Sequence, residues 1–324
     1  MFQFYDSEMR EMTDIKSSQF VQLLKIKWKE IHDTGTNVFR YKIFNLQERI
    51  VNEKYILQLN PNRQSKRRTP EQITDIYQPF DENKFNFTKV SKEEIMFTFK
   101  ESNVADDFHG VLVNVSPISE FHSLFCPFVN KCLPQVINKE SVRLAINIML
   151  LTQDRELRIG FNSLCAFASV NHLHYHIFIE KNFLPVENVK CKKIKGALYC
   201  FDESYPVPAF CFEVLQNSHK VDEIFTLLDY FLKKSIAHNI FITKGEAIEA
   251  TGEVIRFIIW PRKSSIGAKQ LVSFNVAVCE LSGWFPIYDS EDFHNLEAES
   301  LERELRKWKI SNFEDLCEEL KLLY

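Results

Sequence analysis

Glycine is scarce in this chain, with 8 in 324 residues against 29 phenylalanines. Neither G-x-G-x-x-G nor G-x-x-x-x-G-K-[ST] occurs, which excludes the glycine-cradled dinucleotide and P-loop phosphate sites. An excess of charge of one sign is also missing: the formal net charge is −4. There is thus no basic field for nucleic acid or anionic lipid, and any nucleotide bound is expected to be small. No apolar run approaches the ~20 residues that span a bilayer. The opening MFQFYDSEMREMTD carries acids where a leader carries positive charge and then an apolar stretch. The expectation is a cytoplasmic protein without a membrane or nucleic-acid partner. Eight cysteines are scattered without a C-x-x-C pair, which argues against a zinc ribbon or a redox dithiol and for buried free thiols.

What is present is material for a core, 45% apolar and 13% aromatic, ample for one large or two medium domains. Residues 16–33 repeat Phe20, Leu23, Leu24, Ile26 and Trp28 at helical spacing, so residues 1–34 are expected to form a helical brace. The polar stretch 60–70, with Arg63, Lys66, Arg67 and Arg68, reads as a basic loop. Strand-like pieces follow at 85–87, 95–99, 110–115 and 124–126, then a helix at 141–152 and a strand at 157–161. A second helix at 222–238 precedes strands at 239–243 and 254–260, so helix-then-strands occurs twice. The pattern predicts an α+β fold, a sheet with packed helices, in a duplicated arrangement over residues 35–295. Residues 296–324 are expected to form a helical tail, with Leu296, Leu301, Leu305 and Trp308 on its buried face.

The chemistry concentrates at residues 167–179, FASVNHLHYHIFI. This run is rich in strand-forming residues, and a strand alternates faces with period two. His172, His174 and His176 then share one face, while Leu173, Tyr175 and Ile177 enter the core. Adjacent imidazoles resist joint protonation and stay neutral near pH 7. One of them can attack phosphorus to give a phosphoramidate, with its neighbours orienting it and donating to phosphate oxygens. Two histidines at i and i+2 can also ligate a metal, although the flanks supply only Glu180. Three satisfied core histidines are the third reading, and the strand by itself leaves all three open. The basic stretch and Arg262-Lys263 suit phosphate oxygens. His122 and His238 each lie beside a strand, and Glu280 suits a base edge or a sugar hydroxyl without being assigned one.

Gly160-Phe161-Asn162-Ser163 followed by the His172-His174-His176 alternation resembles the histidine-triad motif. A wider set is similar, in the same order, to the GDP-D-glucose phosphorylase and plant GDP-L-galactose phosphorylase group: Gln58-Leu59-Asn60, Gln78-Pro79-Phe80-Asp81, Asn114-Val115-Ser116-Pro117, Cys132-Leu133-Pro134-Gln135, Trp260-Pro261-Arg262-Lys263 and Glu280-Leu281-Ser282-Gly283. His176 at the third triad position resembles the animal branch, where the plant branch has Gln. The resemblance implies a histidine-triad fold and phosphorolysis of GDP-D-glucose to GDP and glucose 1-phosphate, through a guanylylated histidine and without metal or other cofactor. It implies His174 as nucleophile, His172 and His176 as its orienting partners, and Asn162 and Ser169 as holders of the α-phosphate. It also raises the expectation that Arg63, Lys66, Arg67, Arg68, Arg262 and Lys263 contact the GDP-hexose or inorganic phosphate. Three positions depart from the group: Phe121 and Cys165 stand where it has Gly, and Trp284 where it has His. A hydrolase of the same fold, using water as acceptor, and a non-catalytic GDP-binding relative are the alternatives.

Overall fold

The computed structural model describes residues 9–11, 19–34, 37–66, 73–100, 108–152, 154–215, 220–266 and 274–324. Arg67 and Arg68 lie outside the described residues. The first half of the chain holds β1 (Met9–Glu11), α1 (Gln19–Asp33), β2 (Gln47–Val51), β3 (Tyr55–Leu59), α2 (Asn62–Lys66), β4 (Ile95–Lys100), β5 (Phe108–Val113) and β6 (Ser123–Cys126). Then come α3 (Lys139–Leu151), β7 (Leu157–Asn162) and β8 (Tyr175–Ile179). The second half holds β9 (Cys191–Lys195), β10 (Leu198–Phe201), β11 (Phe210–Val214), α4 (Lys220–Lys233), β12 (His238–Glu246) and β13 (Glu253–Pro261). It ends with α5 (Val278–Ser282), β14 (Trp284–Ile287), α6 (Ser290–Asn295), α7 (Ala298–Arg306) and α8 (Phe313–Leu320).

Eleven strands form one sheet in the order β1-β4-β5-β6-β8-β7-β12-β13-β11-β10-β9. Its pairings are antiparallel except for the parallel edge pair β1 and β4. Two halves repeat one plan. Three strands, a helix and two strands run β4, β5, β6, α3, β7, β8 and again β9, β10, β11, α4, β12, β13. In both, the last strand inserts between the third and the fourth. The halves join along β7 and β12, from Asn239↔Asn162 to Ile242↔Ile159. The duplication expected from the helix-then-strands repeat is therefore present in the topology. β13 occupies in the second half the place of β8 in the first, and it reads EVIRFIIWP without histidine, so each chain carries one triad.

The sheet separates two cores, as alternation requires. Tyr175 and Ile177 face a cluster with Phe20, Leu24 and Trp28 of α1, Leu144 and Ile148 of α3, and Leu227 and Phe231 of α4. Phe178, Phe241 and Ile258 face the opposite cluster, with Leu57 of β3, Leu281 of α5 and Leu301 and Leu305 of α7. Here a second sheet, β14-β3-β2, closes over the side that carries the functional groups.

Three sequence expectations are corrected. Ile26 is 55% exposed, because α1 turns Phe20, Val21, Leu24, Trp28 and His32 inward instead. The expected loop 60–70 begins as the helix α2. The triad strand is shorter than residues 167–179: ladder pairing starts at Tyr175. Ahead of it the backbone bonds elsewhere, Leu173 N–H to the Leu133 carbonyl (2.9 Å) and His174 N–H to Gln135 Oε1 (2.9 Å).

Candidate functional site

The first determinant of the site is close approach. Gly160 stands opposite His176 in the β7/β8 ladder. A Cβ there would meet Val278 Cγ1 at 2.9 Å and Phe178 Cε2 at 3.1 Å. Without that side chain, the segment 275–280 can reach down onto the triad and wall a cavity. The cavity is lined on one flank by Phe85, Phe87, Val90, Leu112, Leu124 and Val170, and at its floor by His174, His176 and Asn162. Beyond the floor stand Arg63, Asn114, Ser116, Asn275, Glu280 and Tyr288. One flank is thus apolar, while the floor and the far side are polar.

Each ring of the triad has a defined role in hydrogen bonding. The His174 Nδ1 lies 2.7 Å from the His172 carbonyl. A carbonyl only accepts, so Nδ1 carries the proton and Nε2 the lone pair. Gln135, 1% exposed, holds this residue from both sides. Its Oε1 accepts the His174 N–H, and its Nε2 donates to the carbonyls of His174 and Asn162, both at 3.0 Å.

His176 is oriented through His122. The Ile118 N–H donates to His122 Nδ1 (2.9 Å), which puts the His122 proton on Nε2. That proton is donated to His176 Nδ1 (3.0 Å), so His176 carries its own proton on Nε2, which lies beside the Asn162 Nδ2 at 3.4 Å as two donors placed to share one acceptor rather than to bond each other. One backbone amide thereby sets two tautomers in series and leaves an N–H donor beside the nucleophile. His122 packs tilted against Phe178 (4.6 Å, 33°) and is held well below the ordinary imidazole range by burial, then by the charge of Arg63 and by competition for a proton with His174.

His172 is fully buried beneath Phe80 and Phe87. Its Nδ1 accepts the Phe87 N–H (3.0 Å). Burial, and secondarily His174, push its pKa down to about 4. His238 lies away from this cavity, its Nδ1–H on the Ile236 carbonyl (2.9 Å), and burial takes it to about 4 as well.

These depressed imidazoles tie stability to pH. The unfolded chain takes up their protons near pH 6.5, whereas the folded chain refuses them until about pH 4. Stability is accordingly full above pH 6.5 and lost as pH falls toward 4, with His172 and His238 each accounting for up to about 3 kcal/mol. Urea unfolding at pH 7.5, 6 and 5 is expected to show the midpoint dropping steeply through that window. A flat profile from pH 7 to 5 would contradict the assigned neutral tautomers.

The basic residues separate into different places. Arg63 lines the cavity, donates to the Ser116 carbonyl, and is held in the charged form by the phenols of Tyr41 and Tyr288 despite burial. Lys66 is exposed and donates to Asn62 Oδ1 (2.9 Å). Arg262 is 2% exposed and sits behind Asn162, donating to Asn239 Oδ1 (3.0 Å), while Lys263 is exposed. Asn162 and Ser169 both line the cavity. Sequence reading had left Gln135, Asn239, Tyr41 and Tyr288 without roles. Gln135 lay within a recognised motif, but nothing local indicated that it would grip His174.

The three departures are now interpretable. Phe121 and Cys165 both adopt left-handed backbone, with φ of 62° and 59°. The conformation that a glycine would supply is thus retained by residues that strain to adopt it. Trp284 is fully buried and packs edge-on to Phe178 (5.5 Å), which stacks on His176 (5.7 Å, 8°). It supports the triad from behind. Because left-handed backbone penalises β-branching most, Cys165→Val is expected to lower stability by about 1–3 kcal/mol, whereas Cys165→Gly stays close to the parent. Equal thermal midpoints for the two variants would refute the strain.

Among the described residues, no three His, Cys, Asp or Glu side chains are grouped to hold a metal ion. No described helix is long and apolar enough to cross a membrane.

Comparison with known proteins follows these features. The family model described as GDPGP1-like, N-terminal domain, matches residues 19–178, and its C-terminal companion matches residues 185–321. GDP-D-glucose phosphorylase 1 of Danio rerio is 34% identical over 304 residues, covering 90% of this chain and 87% of the relative. The Homo sapiens protein of that name is 34% identical over 303 residues, with 87% and 77% covered. GDP-L-galactose phosphorylase 2 of Arabidopsis thaliana is 30% identical over 341 residues, with 94% and 76% covered. The crystal structure of yeast Ap4A phosphorylase Apa2 in complex with Ap4A superposes with a TM-score of 0.60 at 14% identity, over 89% of this chain and 97% of that one. At that identity the likeness speaks for the fold.

Proposed function

With both halves matched, this chain belongs to the GDPGP1-like family, and we propose that it catalyses phosphorolysis of GDP-D-glucose to GDP and glucose 1-phosphate. The observation that carries the chemistry is the His174 ring. With its Nδ1–H committed to the His172 carbonyl, its lone pair is on Nε2 and its ring lines the cavity.

In the first step His174 Nε2 attacks the α-phosphorus. A P–N bond forms, the bond from that phosphorus to the bridging oxygen breaks, and glucose 1-phosphate leaves with the electron pair on its phosphate oxygen. In the second step an oxygen of inorganic phosphate attacks the same phosphorus, the P–N bond breaks, and GDP departs with the imidazole restored. The His176 Nε2–H and the Asn162 amide donate to the phosphate oxygens as charge gathers on them. Ser169 lies along the same wall, and the base fits the apolar flank of Phe87, Leu112 and Val170. Arg63, charged and partly wrapped by phenols, faces the β-phosphate and later the incoming phosphate.

The residues assigned here act without a metal or other cofactor, and a cytoplasmic setting suits the reaction. Incubation with GDP-D-glucose, with and without phosphate, tests the reading. GDP formed only with phosphate is the expected result. GMP released without phosphate would replace the reaction by hydrolysis, and binding without product would make the chain a non-catalytic relative. Arg63→Ala is expected to lower kcat/KM by about 100-fold, while Lys66→Ala stays within about twofold. Equal losses in the two variants would remove Arg63 from the phosphate site.

A further inference from the structure

Arg262 directly follows β13 as a buried cation, and no carboxylate among the described residues is bonded to it. One guanidinium nitrogen donates to Asn239 Oδ1 (3.0 Å) and to the Val276 carbonyl. Nε reaches the Lys263 carbonyl at 3.3 Å, and Nη2 has no hydrogen-bond partner. The fork lies against the rings of Trp308 (4.4 Å) and Phe167 (4.9 Å). Burial pulls its pKa down to about 9, with Glu280 opposing at a distance. For stability alone this is a poor arrangement, since an isolated buried charge costs several kcal/mol and an apolar side chain of similar volume is often as good or better.

What the cation does do is polarise and help to fix the direction of two amides. With Oδ1 held by Arg262, Asn239 turns its Nδ2 inward, where it donates to Asn162 Oδ1 at 2.6 Å and to the Ala166 carbonyl at 2.9 Å. Asn162 Oδ1 also accepts the Val278 N–H (3.1 Å). Its acceptor end thus faces away from the cavity and its NH2 faces the triad, 3.4 Å from His176 Nε2. One donor of each residue in the series Arg262, Asn239, Asn162 is passed on toward the cavity. A flip of either amide would present an oxygen to the phosphate.

We propose that Arg262 is a positioning residue for the transferred phosphoryl group, acting through Asn239 to keep the Asn162 NH2 aimed at a phosphate oxygen. This rests on the phosphorolysis reading for its substrate, while the polarity of the relay follows from the hydrogen bonds. Because charge on the transferred group is greatest in the transition state, the loss falls on kcat rather than on KM.

The test compares Arg262→Met, Arg262→Lys, Asn239→Ala and the Arg262→Met/Asn239→Ala double variant in the full chain. Turnover of GDP-D-glucose with phosphate is measured, together with the thermal midpoint in the absence and presence of GMP. Arg262→Met is expected to melt at or above the parent temperature yet lose about 10- to 100-fold in kcat, with KM within about threefold. Arg262→Lys recovers part of the loss, and the double variant is no worse than the more damaged single one, because both remove one relay. Activity of Arg262→Met within about twofold of the parent, or fully multiplicative losses in the double variant, would overturn the proposal. So would a loss that merely follows the folded fraction. If Arg262→Met does not fold, the Lys and Asn239 variants decide by the same kcat and KM criteria. If the parent itself leaves GDP-D-glucose untouched, the phosphorolysis reading fails separately, and the relay is judged by GMP, whose phosphate dianion carries the extra charge that the α-phosphate of the substrate gains only in the transition state: a rise in midpoint in the parent that shrinks in the Arg262 variants supports it, and no rise in the parent or an equal rise in both refutes it.

Discussion

His174→Asn is expected to lower turnover of GDP-D-glucose by about 10⁴-fold or more and to abolish the guanylylated protein that accumulates when phosphate is withheld. The amide nitrogen of Asn has its lone pair delocalised and cannot attack phosphorus, while the side chain still fits between Phe87 and His176, whose rings contact His174 at 5.0 and 5.3 Å. The neighbouring donors remain, so residual activity reports what His176, Asn162 and Arg63 achieve without a nucleophile. His172→Asn removes a ring that underpins the site, but not the His172 backbone carbonyl that orients His174. Its loss is expected to be smaller, with the covalent adduct still forming. The measurements are steady-state turnover and the intact mass of protein quenched in alkali, where a phosphoramidate survives. A His174→Asn variant that still carries the guanylyl mass would move the nucleophile elsewhere.

Gln135→Leu is expected to cost about 3–9 kcal/mol of stability, because it strands three buried backbone groups at once at about 1–3 kcal/mol each. These are the N–H and carbonyl of His174 and the carbonyl of Asn162. Turnover should fall by more than the folded fraction explains, since the same side chain holds the nucleophile in line. Gln135→Glu separates the two effects. Its carboxylate would face two carbonyl oxygens, so it should be more damaging at pH 8 than at pH 5.5, where protonation gives back one donor. Urea unfolding of both variants, alongside kcat at the two pH values, gives the answer. A Gln135→Leu variant within about 1 kcal/mol of the parent would mean that water replaces the clamp.

The period-two reading of residues 172–177 placed His174 and His176 together and Tyr175 and Ile177 in the core, as found. It overextended the strand, because the partner of His174 N–H is a glutamine side chain 39 residues away rather than a neighbouring strand. The repeat of helix-then-strands was legible as well, and the strand order of the two halves bears it out. The basic residues were less legible. A run of Arg and Lys looks uniform in sequence, yet Arg63 enters the cavity, Lys66 is exposed and Arg262 is sealed behind Asn162.

The sequence by itself determined that His174 and His176 would share one face beside Asn162 and that the flanking motifs resemble those of the phosphorylase group, since alternation along a strand and the order of motifs are local properties. Only the tertiary structure decided which nitrogen of each ring carries the proton. That depends on a backbone amide at Ile118 and a ring at His122, the latter 54 residues from His176. Likewise it decided that Arg262 lies behind Asn162 and bonds Asn239, because the direction of an amide is set by what bonds its far end, and those partners come from strands that meet only in the folded sheet.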